Sequence, residues 1–226
     1  MTMIRLHVTA EGQTEQAFVK KVLAVHLAFQ QVYADARCVL TSKDKRAGKE
    51  FRGGLLSYQK AKADICHWMK EDRRAETGFT TMFDLYALPA DFPGYAIAQH
   101  IADPYEKVRI LEDALLSDIA DPRFIPYVQL HEFEALIFAN PEKLDWEYFD
   151  HDKPIRNLLA MVGNSNPELI NDGFSTAPSK RIVREIPEYD KVAAGVSVVQ
   201  KIGMEALRQK CRHFSEWVTK LERLAR

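Results

Sequence analysis

Cysteine is scarce and unpatterned in this chain: Cys38, Cys66 and Cys211 lie far apart and form no CxxC pair. An odd, scattered set of three excludes a disulfide framework and carries no zinc or redox signature, so these thiols read as reduced packing residues. Net charge is equally scarce. With 31 Lys and Arg against 32 Asp and Glu, the formal charge is -1, and no whole-protein field draws the chain onto nucleic acid or anionic lipid. Any phosphate binding must therefore be local. Long apolar runs are missing too: no stretch approaches the roughly 18 residues of a membrane span. The opening MTMIRLHVTAEG lacks the basic n-region and apolar h-region of a secretory leader, which predicts a cytoplasmic protein with no membrane partner. Neither GxxxxGK(S/T) nor GxGxxG occurs, and this excludes ATP hydrolysis through a Walker site.

What is present suits a packed core. Hydrophobic residues make up 46% and charged residues 28%, a balance far from that of disordered chains. No repeat, low-complexity tract or clear linker divides the 226 residues, so residues 1–226 read as one elaborated α/β domain.

The alternation in MIRLHVT (3–9) predicts a strand that runs into the turn signal Glu11-Gly12. Phe18, Val22, Val25 and Phe29 then recur at helical spacing. ARCVLT (36–41) predicts a second strand, which makes a βαβ start. The polar, basic SKDKRAGKEFRGG (42–54) reads as an exposed loop, and a helical pattern follows over 55–73. FTTMF (79–83) predicts a third strand that delivers Asp84 at its C-terminal end. Pro-rich 87–104 reads as an ordered loop with one helical turn, and 105–119 as a helix. FIPYVQL (124–130) predicts a fourth strand, with Pro126, which lacks an N–H, arguing for an edge position or a late strand start. From His131 onward the pattern is helical. The expected architecture is a mostly parallel sheet of four or slightly more strands within 1–130, flanked by helices, with a helical extension over 131–226.

In open α/β sheets, ligands bind where the strand C-termini meet the loops that leave them. That rule selects Glu11 after the first strand, Asp84 after the third, and His131, Glu132 and Glu134 after the fourth. Carboxylates gathered at one edge repel one another unless a cation compensates. A hard cation, Mg²⁺ or Mn²⁺, suits oxygen ligands such as Glu11 and Asp84 better than zinc does. HEFEA lacks the second His of the zincin HExxH pattern, which excludes a protease reading. Glu132 and Glu134 are two apart, so on a helix they diverge and one alone faces the site, Glu134 in preference, whereas on a strand end both do. His131 is either an acid/base residue or a core histidine. The basic residues Lys43, Lys45, Arg46, Lys49 and Arg52 either line a nucleic-acid backbone or form a solvated loop. Gly12 serves the turn, where a side chain would hinder a left-handed backbone or a close phosphate.

Four runs carry a resemblance: VTAEGQTE (8–15), MFDLYALP (82–89), IPYVQLHEFEALIF (125–138) and PSKRI (178–182). Together they resemble a family of bacterial Toprim-like proteins distantly related to overcoming-lysogenization-defect (OLD) nucleases. The resemblance implies a Toprim-type fold and pairing with an AAA- or ABC-type ATPase in genome defence. In Toprim enzymes a Glu after the first strand is an acid/base or metal ligand, and a DxD pair after the third strand binds Mg²⁺. Glu11 and Asp84 match these positions. Tyr86 stands where the second Asp belongs, so Glu132 or Glu134 must supply the missing oxygen. The resemblance also marks Lys180 and Arg181 as a phosphate clamp.

The reaction implied is Mg²⁺-dependent phosphodiester hydrolysis of nucleic acid, DNA rather than RNA, with Glu11 moving the proton. The rivals are a catalytically silent binding or regulatory subunit of an ATPase and a small-nucleotide phosphohydrolase. Phe214, Trp217, Val218, Leu221 and Leu224 form an apolar stripe that reads as core in preference to a docking face.

Overall fold

Parallel pairing between strands far apart in sequence builds the central sheet. In the computed structural model, which describes residues 3–44, 49–52, 54–170 and 176–225 (backbone alone over 40–44 and 49–52), β1 (Ile4–Ala10) lies between β2 (Val32–Cys38) and β5 (Thr77–Asp84). The register sets Ile4 opposite Val32 and Ala10 opposite both Cys38 and Met82. Every residue of β5 is buried, as a strand covered by helices on both faces must be. The order is β2-β1-β5-β6, with β6 at Phe124–Ile125, and β7 (Val128–Gln129) also pairs with β5. The predicted fourth strand is two short pieces, β6 (Phe124–Ile125) and β7 (Val128–Gln129), both parallel to β5. Pro126 separates them, since its ring nitrogen donates nothing to the ladder.

Three sequence readings need correction. The second strand starts at Val32, four residues before the predicted 36, because β2 is an edge strand whose exposed Tyr33, Asp35 and Arg37 mask the apolar pattern. The predicted loop 42–54 contains an antiparallel hairpin, β3 (Leu40–Asp44) with β4 (Lys49–Arg52). The third correction concerns the first helix: α1 (Gln13–Phe18) and α2 (Ala24–Ala28) are joined through a π-helical segment, Val19–Leu23. Widening one turn rotates the apolar face, so Leu23 and Leu27 take the core while Val25 and Phe29 are 58% and 81% exposed.

Helices α3 (Tyr58–Glu71), α4 (Tyr95–Ala98) and α5 (Pro104–Ile119) follow. Asp103 caps α5 by accepting the Glu106 N–H, with Pro104 at the first helical position. A 3₁₀ helix covers Phe133–Ala139. Then come α6 (Asp152–Val162), α7 (Pro178–Glu185), a π-helical segment at Lys191–Gly195, α8 (Val196–Ile202), α9 (Met204–Lys210) and α10 (Arg212–Glu222). Among the described residues no strand follows β7, and no helix is long and apolar enough to cross a membrane.

Two apolar cores sandwich the sheet. One joins α3 and α5 to Phe79, Phe83 and Val128; the other joins α1, α2 and the C-terminal helices to Leu6, Val8 and Met82. The helical C-terminal half is thus one of the three layers. Trp217 on α10 is the anchor: its indole stacks on Tyr127 at 4.0 Å and its N–H donates to Thr80 Oγ1 at 2.9 Å, satisfying the one polar atom that burial would strand. Buried Glu168 accepts the His213 and Phe214 N–H groups, 2.9 Å each. That fixes the start of α10, where a carboxylate also meets the positive end of the helix dipole. The apolar stripe of α10 is core, as its spacing predicted: Phe214, Trp217, Val218 and Leu221 are buried.

Candidate functional site

Strands β1 and β5 end side by side, and each delivers an acid. The Glu11 N–H bonds the Met82 carbonyl at 3.0 Å, extending the ladder one residue past β1. The base of the β3–β4 hairpin is fastened to the same place: the Val39 N–H bonds the Ala10 carbonyl and the Gly54 N–H bonds the Glu11 carbonyl, both at 2.9 Å. Glu11 Oε2 then accepts the Asp84 backbone N–H at 2.9 Å. The first and third strand-end acids therefore touch, although 73 positions separate them.

Gly12 starts α1 with φ −145°, so the left-handed backbone anticipated for it is absent. Its N–H instead donates to Glu15 Oε2 at 2.9 Å, and a Cβ would crowd that oxygen at 3.2 Å. Glu15 is 3% exposed. Sequence reasoning passed over it, although its spacing of four from Glu11 across a helix start puts both side chains at the sheet's C-terminal edge.

Asp84 is 4% exposed, and among the described residues its Oδ1 has no hydrogen-bond partner. Its Oδ2 lies 3.5 Å from the Lys191 ammonium, which is also 3.2 Å from Glu134 Oε2. Glu134, 0% exposed, sits in the first turn of the 3₁₀ helix, with its Oε1 3.5 Å from the Tyr189 hydroxyl. Glu132 goes elsewhere: it accepts the Ser179 N–H and hydroxyl, pinning the first turn of α7. The two glutamates thus diverge, and Glu134 is the one that faces Asp84 across Lys191. Lys191 itself carried no sequence signal. It opens the π-helical segment, whose first N–H groups, on Val192 and Ala193, are capped by Asp190 Oδ1 at 2.9 and 2.8 Å.

The electrostatics follow from burial and crowding. Burial raises the Glu11 carboxyl to about 7; the Asp84 N–H pulls it down, and the charge of Glu15 pushes it further up. Asp84 is driven well above its ordinary range by burial, then by Glu15, with Lys191 opposing. Glu134 reaches about 7 through burial, again opposed by Lys191. Burial pulls the Lys191 ammonium down, but Asp84, Glu134, Glu15 and Glu132 outweigh it and hold it above its ordinary value. Among the described residues the Lys191 ammonium thus contacts Asp84 and Glu134 and feels the charge of Glu15, Glu11 and Glu132 from farther off, an excess of acidic groups that favours either proton uptake or an added cation.

Among the described residues the acids of this cluster offer oxygen ligands alone, and the buried Asp84 Oδ1 has no hydrogen-bond partner. This chemistry fits a hard divalent cation. Around Lys191 the carboxylates stand apart: among the described residues no three His, Cys, Asp or Glu side chains converge closely enough to hold a metal ion.

The other anticipated residues lie around this pocket or away from it. His131 has φ +63° and is 5% exposed. Its ring lies 5.5 Å from that of Tyr86, and among the described residues neither ring nitrogen has a partner of good geometry. Burial depresses it to about 4, with Lys107 the charge pushing the same way. The imidazole thus associates with Tyr86, the residue in place of a second Asp. Lys180 is exposed on α7, and Arg181 Nε donates to the Thr176 carbonyl at 2.6 Å. Both follow Ser179, which binds Glu132 and not the acids around Lys191. Lys45 and Arg46 lie outside the described residues.

A family model described as "Domain of unknown function (DUF4276)" matches residues 10–222. No curated protein matches this chain. Two solved structures of the C-terminal region of the OLD protein of Xanthomonas campestris pv. campestris resemble it. The one phased with platinum has 13% identity, covers 96% of this chain and 95% of that chain, and has a TM-score of 0.41. The one phased with mercury has 11% identity, covers 97% and 98%, and has a TM-score of 0.40. Likeness at that level carries no argument about chemistry.

Proposed function

We propose that this chain, which belongs to the DUF4276 family, is a Mg²⁺- or Mn²⁺-dependent phosphodiesterase acting on nucleic acid, with the ion held by Asp84 and Glu134 and supported by Glu11 and Glu15. The observation that carries the reading is Asp84 Oδ1 at the end of β5, buried and, among the described residues, without a hydrogen-bond partner, in a cluster where acids outnumber Lys191. An unpaired buried carboxylate oxygen is costly unless something binds it, and the pocket's excess charge selects a cation.

When bound, a divalent ion supplies charge stabilisation for the phosphate oxygens. The remaining work falls to the protein. Glu11 Oε2 is fixed by the Asp84 N–H, which leaves Oε1 to take a proton from the attacking water. Its value of about 7 matches a general base working at neutral pH. Lys180 and Arg181, which the motif resemblance marks as a phosphate clamp, would hold the flanking phosphates. The motif resemblance to Toprim and OLD-type sequences supports a nuclease subunit acting with an ATPase in genome defence.

The test is cleavage of plasmid DNA and of RNA in Mg²⁺ or Mn²⁺ by the wild type, Glu11→Gln and Asp84→Asn, alone and with a cognate ATPase. Cleavage by the wild type that both variants lose supports the reading; equal inertness of all three in every condition overturns it. A second reading has its own support: Tyr86 in place of an acid and Lys191 between the carboxylates both favour a silent, ATPase-regulating subunit. Turnover of mononucleotides without polymer cleavage would redirect the assignment to a small-nucleotide phosphohydrolase.

A further inference from the structure

We infer that Lys191 is a tethered counter-cation that competes with the divalent ion for Asp84 and Glu134, so that loading the site requires its ammonium to withdraw. The inference rests on the metal reading above and adds the device that controls it.

The distances say what Lys191 does now. A charge-assisted N–H to carboxylate bond is about 2.7–2.9 Å, whereas the ammonium is 3.5 Å from Asp84 Oδ2 and 3.2 Å from Glu134 Oε2. It bridges the two carboxylates and closes fully on neither. Mg²⁺ draws its oxygens to about 2.0–2.1 Å, so the same carboxylates cannot satisfy both cations at once. The wedge is consistent with the lack of converged ligands among the described residues.

The bridge is also incomplete. Among the described residues it leaves Asp84 Oδ1 without a hydrogen-bond partner, and it sets one positive charge against Asp84 and Glu134, with Glu15 and Glu11 acting on it from farther off. A divalent ion would double the compensation and take up the spare oxygen.

Lys191 also has a way out. Its side chain is 40% exposed, while those of Asp84 and Glu134 are 6% and 0% exposed. The stem therefore enters from the surface, and rotation of its flexible four-carbon chain suffices to remove the charge. The backbone need not move, because Asp190 caps the segment independently of the ammonium.

The experiment is Mn²⁺ titration of metal-free protein by calorimetry, with thermal melts in EDTA and in Mn²⁺, for the wild type, K191Q and K191R. Competition predicts that K191Q binds Mn²⁺ about tenfold or more tightly than the wild type, because a like charge has left the pocket. K191Q should also melt lower in EDTA and gain more from Mn²⁺. K191R keeps the charge in a more rigid, more strongly bonded form and should bind Mn²⁺ more weakly than the wild type, a readout that survives if K191Q does not fold. Equal or weaker Mn²⁺ binding by K191Q overturns the competition while leaving the metal site intact. Should K191Q not fold, unchanged affinity in K191R overturns it. If neither the wild type nor K191Q binds Mn²⁺, both the inference and the metal reading fall. Binding by the wild type that D84N abolishes keeps the metal reading alive whatever Lys191 does.

Discussion

Glu11 Oε2 accepts the backbone N–H of Asp84 at 2.9 Å, so the carboxylate that ends β1 is positioned by the peptide group that ends β5. This bond holds one carboxylate oxygen against the strand whose own carboxylate, among the described residues, is short of a partner. It also pulls Glu11 below the value burial alone would give.

Glu11→Gln should separate structure from chemistry. The amide oxygen of Gln can still accept the Asp84 N–H, and the substitution removes one negative charge from a crowded buried set. Melting temperature at pH 8 should therefore stay level or rise, while any cleavage activity falls by about 10²–10⁴, the usual contribution of a positioned base. A large loss of stability at pH 8 would show that Glu11 is needed for the fold.

The acids should make metal-free protein lose stability as pH rises. Glu11 and Glu134 sit at about 7 in the folded state against 4.5 for the ordinary carboxyl. Between those values the folded chain binds more protons than the unfolded one, so stability falls across that window and levels above it. Each group contributes on the order of 1–3 kcal/mol. His131, depressed to about 4, works the other way from about 4 up to its ordinary 6.5. The measurement is therefore a difference: urea midpoints of the wild type minus those of Glu134→Gln, which share His131, from pH 4.5 to 8. A flat difference would refute the assignment.

Gly195 makes room for Tyr189: a Cβ at 195 would run into the Tyr189 hydroxyl, the group beside Glu134 Oε1. Gly195→Ala should destabilise the protein by about 1–3 kcal/mol, as overpacking does, and displace Tyr189 from Glu134. Chemical denaturation checks the first effect and a crystal structure of the variant the second.

Trp217→Phe keeps a ring on Tyr127 but strips the N–H that reaches Thr80 Oγ1. A loss of about 1–3 kcal/mol is expected, from a buried hydroxyl left short of one partner and a smaller ring. Trp217→Ala should cost about 3–5 kcal/mol. Urea denaturation followed by far-UV circular dichroism measures both, and near-neutral values would remove α10 from the core.

Much of the scaffold could be read from residue order. β1 is legible in its alternation and β-branched residues, and β5 in the apolar and β-branched run of a strand buried by helices on both faces. Glu11 and Asp84 could be picked out because residues leaving such strands necessarily sit at one edge. The hairpin at 40–52 was hidden by its polar, glycine-containing composition, and the π-helical turn at 19–23 leaves no compositional mark, which is why Val25 and Phe29 were assigned to a face the helix does not bury. The sequence does not choose between Glu132 and Glu134; the 3₁₀ start at Phe133 does, sending one to Ser179 and the other to Lys191.

By itself the sequence determined the alternation of strand and helix, the near-zero net charge and the recurrence of acids where strands end. All are local properties of composition and period. Only the tertiary structure decided that Lys191, 107 positions from Asp84, stands among those acids, and that Glu15 presses on them from the helix. Coulomb energy and desolvation depend on distance and depth in space, and neither quantity exists until the sheet and its two helical layers have closed.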